Sequence, residues 1–252
     1  MYILGMHLQT NSMRKTFVLF TLILLANSCM SYKVNLAFKF LGAYNDKVML
    51  ESVNRDDNKI IFIPMHHLGT VLFYKDVKIK IDSLKKAGFY FYTEEITVNR
   101  ADTITIRKAN KLKGVPFSKG NIGYKHYFDS LYRGKVKLKK ELVDQPKYGL
   151  FGLDSINSRN VDVTYKDMIS YYEKKYGELK LRPCDFKKSF YEKPDCDDKP
   201  IDKKIFQEII IDFRNANVVK AILKDDRKKI AIIYGENHFK GIKEELLKQG
   251  FK

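Results

Sequence analysis

Five histidines occur in the chain, and three of them stand in two short segments, Pro64-Met65-His66-His67-Leu68-Gly69 and Gly235-Glu236-Asn237-His238-Phe239-Lys240-Gly241. Imidazole changes charge near neutral pH, and its neutral nitrogen is a good donor to a divalent ion. An acidic pair lies between them in Tyr92-Thr93-Glu94-Glu95. Side chains alternate faces along a strand, so Tyr90, Tyr92 and Glu94 share one face and Phe91, Thr93 and Glu95 the other; only one glutamate can face a site. Two imidazoles and a carboxylate carried on rigid elements would meet the needs of a small metal centre.

The elements that would position them read as a repeat. Lys59-Ile60-Ile61-Phe62-Ile63 is an apolar strand followed by the first histidine turn, a helix over 71–87 and Ala87-Gly88-Phe89. Lys229-Ile230-Ala231-Ile232-Ile233-Tyr234 is a second such strand, followed by the other histidine turn, a helix and Gln249-Gly250-Phe251. Two strand–turn–helix units would set their histidines at one edge of a sheet, the edge where open α/β sheets hold ligands. The first helix carries Val77, Ile81 and Leu84 on one stripe. Further helices are expected at 100–112, 164–176 and 202–223, and an aromatic strand at 89–96. Residues 34–53 read as two short strands about a turn, and Lys135 to Lys140 as a lysine-protected edge strand. The expected fold class is α/β in the α+β sense, a central mixed sheet flanked by helices.

The ordered motifs resemble those of the TraB/GumN family, related to the Tiki metalloproteases. The resemblance runs over residues 59–252 and rests on Pro64 to Gly69 with Phe73-Tyr74, the strand end at Glu94, the helix Asp212-Phe213-Arg214-Asn215, and Gly235 to Gly241. Gln145-Pro146 is similar to a further family feature. The resemblance implies a metal-dependent hydrolase or peptidase site in which His67, His238 and Glu94 surround a divalent ion or an activated water. It also implies that Arg214 pairs with Glu94 or holds a substrate carboxylate or carbonyl. Gly235 matches the glycine of the second motif and Glu236 follows it. Pro64 stands where glycine is expected in the first, which fixes φ and removes a donor. His66 is the alternate imidazole. A noncatalytic module that captures a peptide or small ligand in the same pocket is the competing expectation.

The first 28 residues read as a signal peptide starting at Met13: Arg14-Lys15, then a ten-residue apolar run from Phe17 to Ala26. That run is half of the roughly 20 residues a membrane span needs. Leu25-Ala26-Asn27-Ser28-Cys29 resembles a bacterial lipobox, so Cys29 is the expected lipid-bearing residue and the membrane its partner. Residues 29–58 would be the lipidated amino terminus with a short β-hairpin. This places the chain in the cell envelope, anchored and facing the periplasm. Cys184 and Cys196 then remain, either closing a short excursion as a disulfide or standing as two thiols.

The full chain of 252 residues carries 47 Lys and Arg against 30 Asp and Glu, a net charge of +17, and is 44% hydrophobic. Loss of residues 1–28 removes two basic side chains and no acid, leaving +15. The basic residues are dispersed among acids and apolar positions, and no nucleic-acid-binding motif accompanies them, so nucleic acid is not an expected partner. Glycine-rich phosphate loops and a Gly-x-Ser-x-Gly turn are absent, which leaves nucleotide chemistry and a serine triad without support.

Overall fold

A computed structural model describes residues 30–252 apart from 101, 118–122 and 198. The expected signal peptide and Cys29 lie outside the described residues. A five-stranded sheet organises the fold, in the order β1 (Glu51–Arg55), β2 (Asn58–Met65), β7 (Lys229–Gly235), β4 (Tyr90–Thr93) and β6 (Ser158–Asn160). β1 is antiparallel to β2, and the other neighbours are parallel. A small two-stranded ladder joins β3 (Leu68–Gly69) to β5 (Val143–Asp144). Helices pack around the sheet, so the α/β class with a mixed sheet is the observed architecture.

Strands β2 and β7 are apolar along their whole length because both faces of the sheet are covered. Ile61, Ile63, Phe91, Ala231 and Ile233 face α2 (Val71–Lys86), which contributes Phe73, Val77, Ile81 and Leu84. Ile60, Phe62, Tyr92, Ile230, Ile232 and Tyr234 face α7 (Phe213–Leu223) and α8 (Glu236–Lys248), which contribute Val218, Val219, Ile222, Ile242 and Leu246. The helix after β2 thus covers one face and the helix after β7 the other. Connections leaving adjacent parallel strands toward opposite faces open a crevice at the strands' carboxyl ends.

A third cluster joins α3 (Thr103–Lys113), α5 (Tyr165–Tyr176) and the helical residues leading into α7 through Leu112, Met168 and Ile209. The expected helix at 202–223 is one helical run with a π-helical stretch at Glu208–Asp212 between α6 (Lys203–Gln207) and α7. Cys184 and Cys196 are joined as a disulfide. All the apolar clusters draw on residues from Phe38 to Phe251, so the described part carries its own core.

Three local expectations differ from the structure. Residues 30–40 form a helix, α1, although a strand was expected from residue 34, and the hairpin is the later one between β1 and β2. Lys135 to Lys140 form no strand. Their backbone runs along α1 instead, with Lys137 N–H donating to Ser31 Oγ at 3.2 Å and Lys139 N–H to Asn35 Oδ1 at 2.6 Å. Side chains of the helix thus satisfy donors that a ladder would otherwise take. The late histidine segment is no turn: α8 starts directly after Gly235, placing His238 in its first turn and Gly241 inside the helix.

Candidate active site

Glu94 follows the last residue of β4, His67 follows β2, Asp162 follows β6, and Gly235 ends β7 as the residue before α8. All stand at the carboxyl ends of parallel strands, where α7 brings in Arg214 and Asn215. Arg214 is the hub, and it is buried at 4% exposure. Its Nε donates to Asp162 Oδ1 at 2.9 Å and its Nη2 to Asp162 Oδ2 at 2.7 Å and to Glu94 Oε1. Nη1 donates to Ile210 O at 3.2 Å and lies 2.9 Å from His238 Nε2. A guanidinium has five N–H donors, and each has an acceptor here.

The arrangement sets the tautomer of His238. Nε2 faces the Arg214 donor and must accept, so Nδ1 carries the proton and donates to Asn215 Oδ1 at 2.8 Å. Burial, followed by the Arg214 charge, pushes the His238 pKa down to about 4, against opposing pulls from Glu94 and Asp162. Burial works to raise the Glu94 pKa, but Arg214, His238 and the Gly235 N–H, which donates to Oε2 at 2.5 Å, hold it below the usual carboxylate range. That N–H stands at the start of α8, where a helix favours negative charge. Burial also opposes the Arg214 charge, and hydrogen bonds to Asp162 with the charges of Glu94 and Asp162 raise its pKa regardless.

Two glycines allow this approach. A Cβ on Gly235 would lie 3.3 Å from Glu94 Oε2, and one on Gly241 only 2.3 Å from Asn215 Nδ2. The first is tight and the second is a clash with an amide held by His238. Tyr148 braces Glu94 from the other side, its hydroxyl donating to the Glu94 carbonyl at 3.0 Å. Glu95, just beyond β4, is exposed and takes no part in the network.

His67 occupies the rim. Its ring stacks on Tyr124 with centroids 4.2 Å apart and planes 6° apart. More than a third of the residue is accessible, yet enough protein surrounds the ring for burial to lower its pKa; the Glu94 charge opposes this and the Arg214 charge adds to it. His67 is therefore neutral at neutral pH. His66 turns to Glu236, with Nδ1 3.4 Å from Oε2, and packs on Phe73. Pro64 lies within β2, beyond the last β1–β2 pair at Glu51 and Phe62. In the β2–β7 register it opposes Tyr234, and Met65 opposes Gly235. The two histidine segments are thus one residue out of step across the sheet, and only His238 is helical.

The donors do not fit an ion as they are arranged. Both Glu94 oxygens and both His238 nitrogens have protein partners, and Arg214 sits between them. A divalent ion there would face a guanidinium at a repulsion of about 4 kcal/mol per unit of its charge at 4 Å and an effective dielectric of 20. Among the described residues, the only His, Cys, Asp or Glu trio whose ligand atoms all lie within 4.8 Å of one another is Cys184, Asp185 and Cys196, and its sulfurs are bonded to each other.

Asp162 has no role legible in the sequence, and Asn215 enters there only as the neighbour of Arg214 in the motif helix, without a role of its own. Asp162 sits in Asn160-Val161-Asp162-Val163, where an acid between two buried valines is the only local signal. No family model, curated protein or solved structure matches the chain. No helix among the described residues is long and apolar enough to cross a membrane.

Proposed function

We propose that the chain is an exported, envelope-anchored lipoprotein with a hydrolase-type site at the crevice, acting on a peptide or small carbonyl compound without a resident ion. One observation carries this reading: an accessible, neutral His67 stands at the rim of a buried network built from Glu94, Asp162, Arg214 and His238. Ionisable groups shifted by burial and by each other concentrate at functional sites. His67 is the base that would take a proton from water; burial lowers its pKa, and the Glu94 charge offsets part of that loss of proton affinity. Tyr124, held protonated chiefly by burial, offers a hydroxyl donor beside it. Arg214 has no donor left for substrate, so it is a positioning residue. The order of the motifs, similar to TraB/GumN proteins, supports the same class, and the lipobox-like segment ending at Cys29 supports the location.

The test is turnover of a panel of chromogenic esters and peptides by purified residues 30–252, alongside His67→Ala. Activity lost in the variant with unchanged thermal unfolding supports the proposal. Activity removed by a chelator and restored by one divalent ion would return the site to metal chemistry. The second reading, a noncatalytic module for a peptide or small ligand, is favoured by the complete internal pairing of Arg214 and His238. Ligand retention without turnover, unchanged in His67→Ala, would establish it instead.

A further inference from the structure

Helix α1 exposes an apolar stripe. Tyr32, Leu36 and Phe40 are four residues apart and so stand on one helical face, at 66%, 38% and 82% exposure. Leu41, at the end of the helix, is 58% exposed. Lys33 and Lys39 fall on either side of the stripe, and both are exposed. The opposite face holds the helix to the body. Phe38 packs on Tyr44 and Phe128 with centroids 6.0 and 5.3 Å apart, and Asn35 Nδ2 donates to Lys137 O at 2.8 Å. The stripe is thus held in one orientation.

Lysines continue beyond the helix. Lys139 and Lys140 border the same hollow as Tyr32, Leu36 and Lys39. Lys140 is paired with Asp46 at 2.7 Å, while Lys33, Lys39 and Lys139 have no acidic partner among the described residues. An apolar stripe bracketed by lysines, on a helix lying flat against its domain, has the chemistry of an interfacial helix: aromatic and aliphatic groups enter the acyl boundary while ammonium groups meet anionic headgroups. Met30, the residue after Cys29 in the sequence, already belongs to α1.

We infer that this face of α1 docks on an anionic lipid bilayer, as a further attachment beside the two acyl chains expected on Cys29. The acyl chains would hold the chain to the membrane, and the basic-apolar surface adds binding and fixes which face of the domain meets the bilayer. The location of this surface in the cell rests on the envelope reading above; its affinity for lipid does not.

The experiment uses residues 29–252 with Cys29→Ser, which cannot be acylated, in cosedimentation with vesicles of phosphatidylglycerol and phosphatidylcholine or of phosphatidylcholine alone. Binding to the anionic vesicles is expected, falling about tenfold or more in Leu36→Ser with Phe40→Ser, since two large apolar groups are lost. Lys33→Glu with Lys39→Glu should weaken binding and flatten its salt dependence. Equal thermal unfolding of the variants excludes loss of fold as the cause. Binding that none of these changes alters overturns the inference. So does a concentration-dependent dimer in sedimentation without vesicles that Phe40→Ser dissolves, because a second copy would then cover the stripe. Mass spectrometry of the chain exported from cells tests the acyl group separately, so failure of the anchor and failure of the face are distinguishable.

Discussion

Arg214 and Asp162 form a two-bond pair, Nε to Oδ1 at 2.9 Å and Nη2 to Oδ2 at 2.7 Å, and the Asp162 side chain is wholly buried. The geometry is the fork that a planar guanidinium makes with a carboxylate. Removing the cation would strand Asp162 and Glu94 in the interior. Arg214→Met should destabilise the fold by about 3–5 kcal/mol, the cost of breaking a buried pair from one side. Denaturant midpoints check this, and adding Asp162→Leu and Glu94→Gln should recover part of the loss.

Acid should destabilise the protein through His238. Its pKa is 6.5 in the unfolded chain and about 4 when folded, so the unfolded state binds the proton first as pH falls. The stabilising contribution is complete above about pH 6.5 and is lost by about pH 4, amounting to about 3 kcal/mol across that window. His66 and His67 are lowered too and add the same sign, and lowered Glu94 extends the loss further into acid. Unfolding free energy measured from pH 7 to 4 should fall steeply, and less steeply in His238→Asn. A flat profile in the unaltered chain would count against the buried neutral imidazole.

Gly241→Ala should be costly although alanine favours helices. The new Cβ would meet the Asn215 amide, 2.3 Å from Nδ2, so the contact between α7 and α8 must widen. A loss of about 1–3 kcal/mol is expected, the range for overpacking. Asn215→Ser should relieve the clash, making the pair of changes less damaging than their sum in a double-mutant cycle.

The Cys184–Cys196 bond closes a sequence separation of 12 residues. Its loss in Cys184→Ser with Cys196→Ser should lower stability by about 3 kcal/mol if the whole domain unfolds as one unit. The excursion packs beside α3, where Arg107 donates to Lys188 O and Asn110 to Phe190 O. Proteolysis between residues 184 and 196 should therefore accelerate more than thermal unfolding shifts.

Much of the framework was legible locally. The apolar runs of β2 and β7 could only be strands covered on both faces, and Val77, Ile81 and Leu84 marked the buried stripe of α2. Alternation along β4 separated Glu94 from Glu95, and the Gly235–His238 spacing marked the residue that now meets Arg214. The helix over residues 34–40 was not legible because its apolar positions face solvent as well as core, so a buried-face periodicity was not there to find.

Sequence by itself determined which segments must be buried, which side chains carry ionisable groups, and where strands hand over to helices, because these follow from periodicity within a few residues. Tertiary structure alone decided that the last strand, β7, inserts between β2 and β4, which brings Glu94 to the start of α8. It alone supplied Asp162 to Arg214 across 52 residues, and turned a sequence-equivalent pair of histidines into a rim residue and a buried one. Pairings of that separation are selected by the joint burial of two faces and the need to give every interior donor and acceptor a partner, conditions that exist only once the chain is closed.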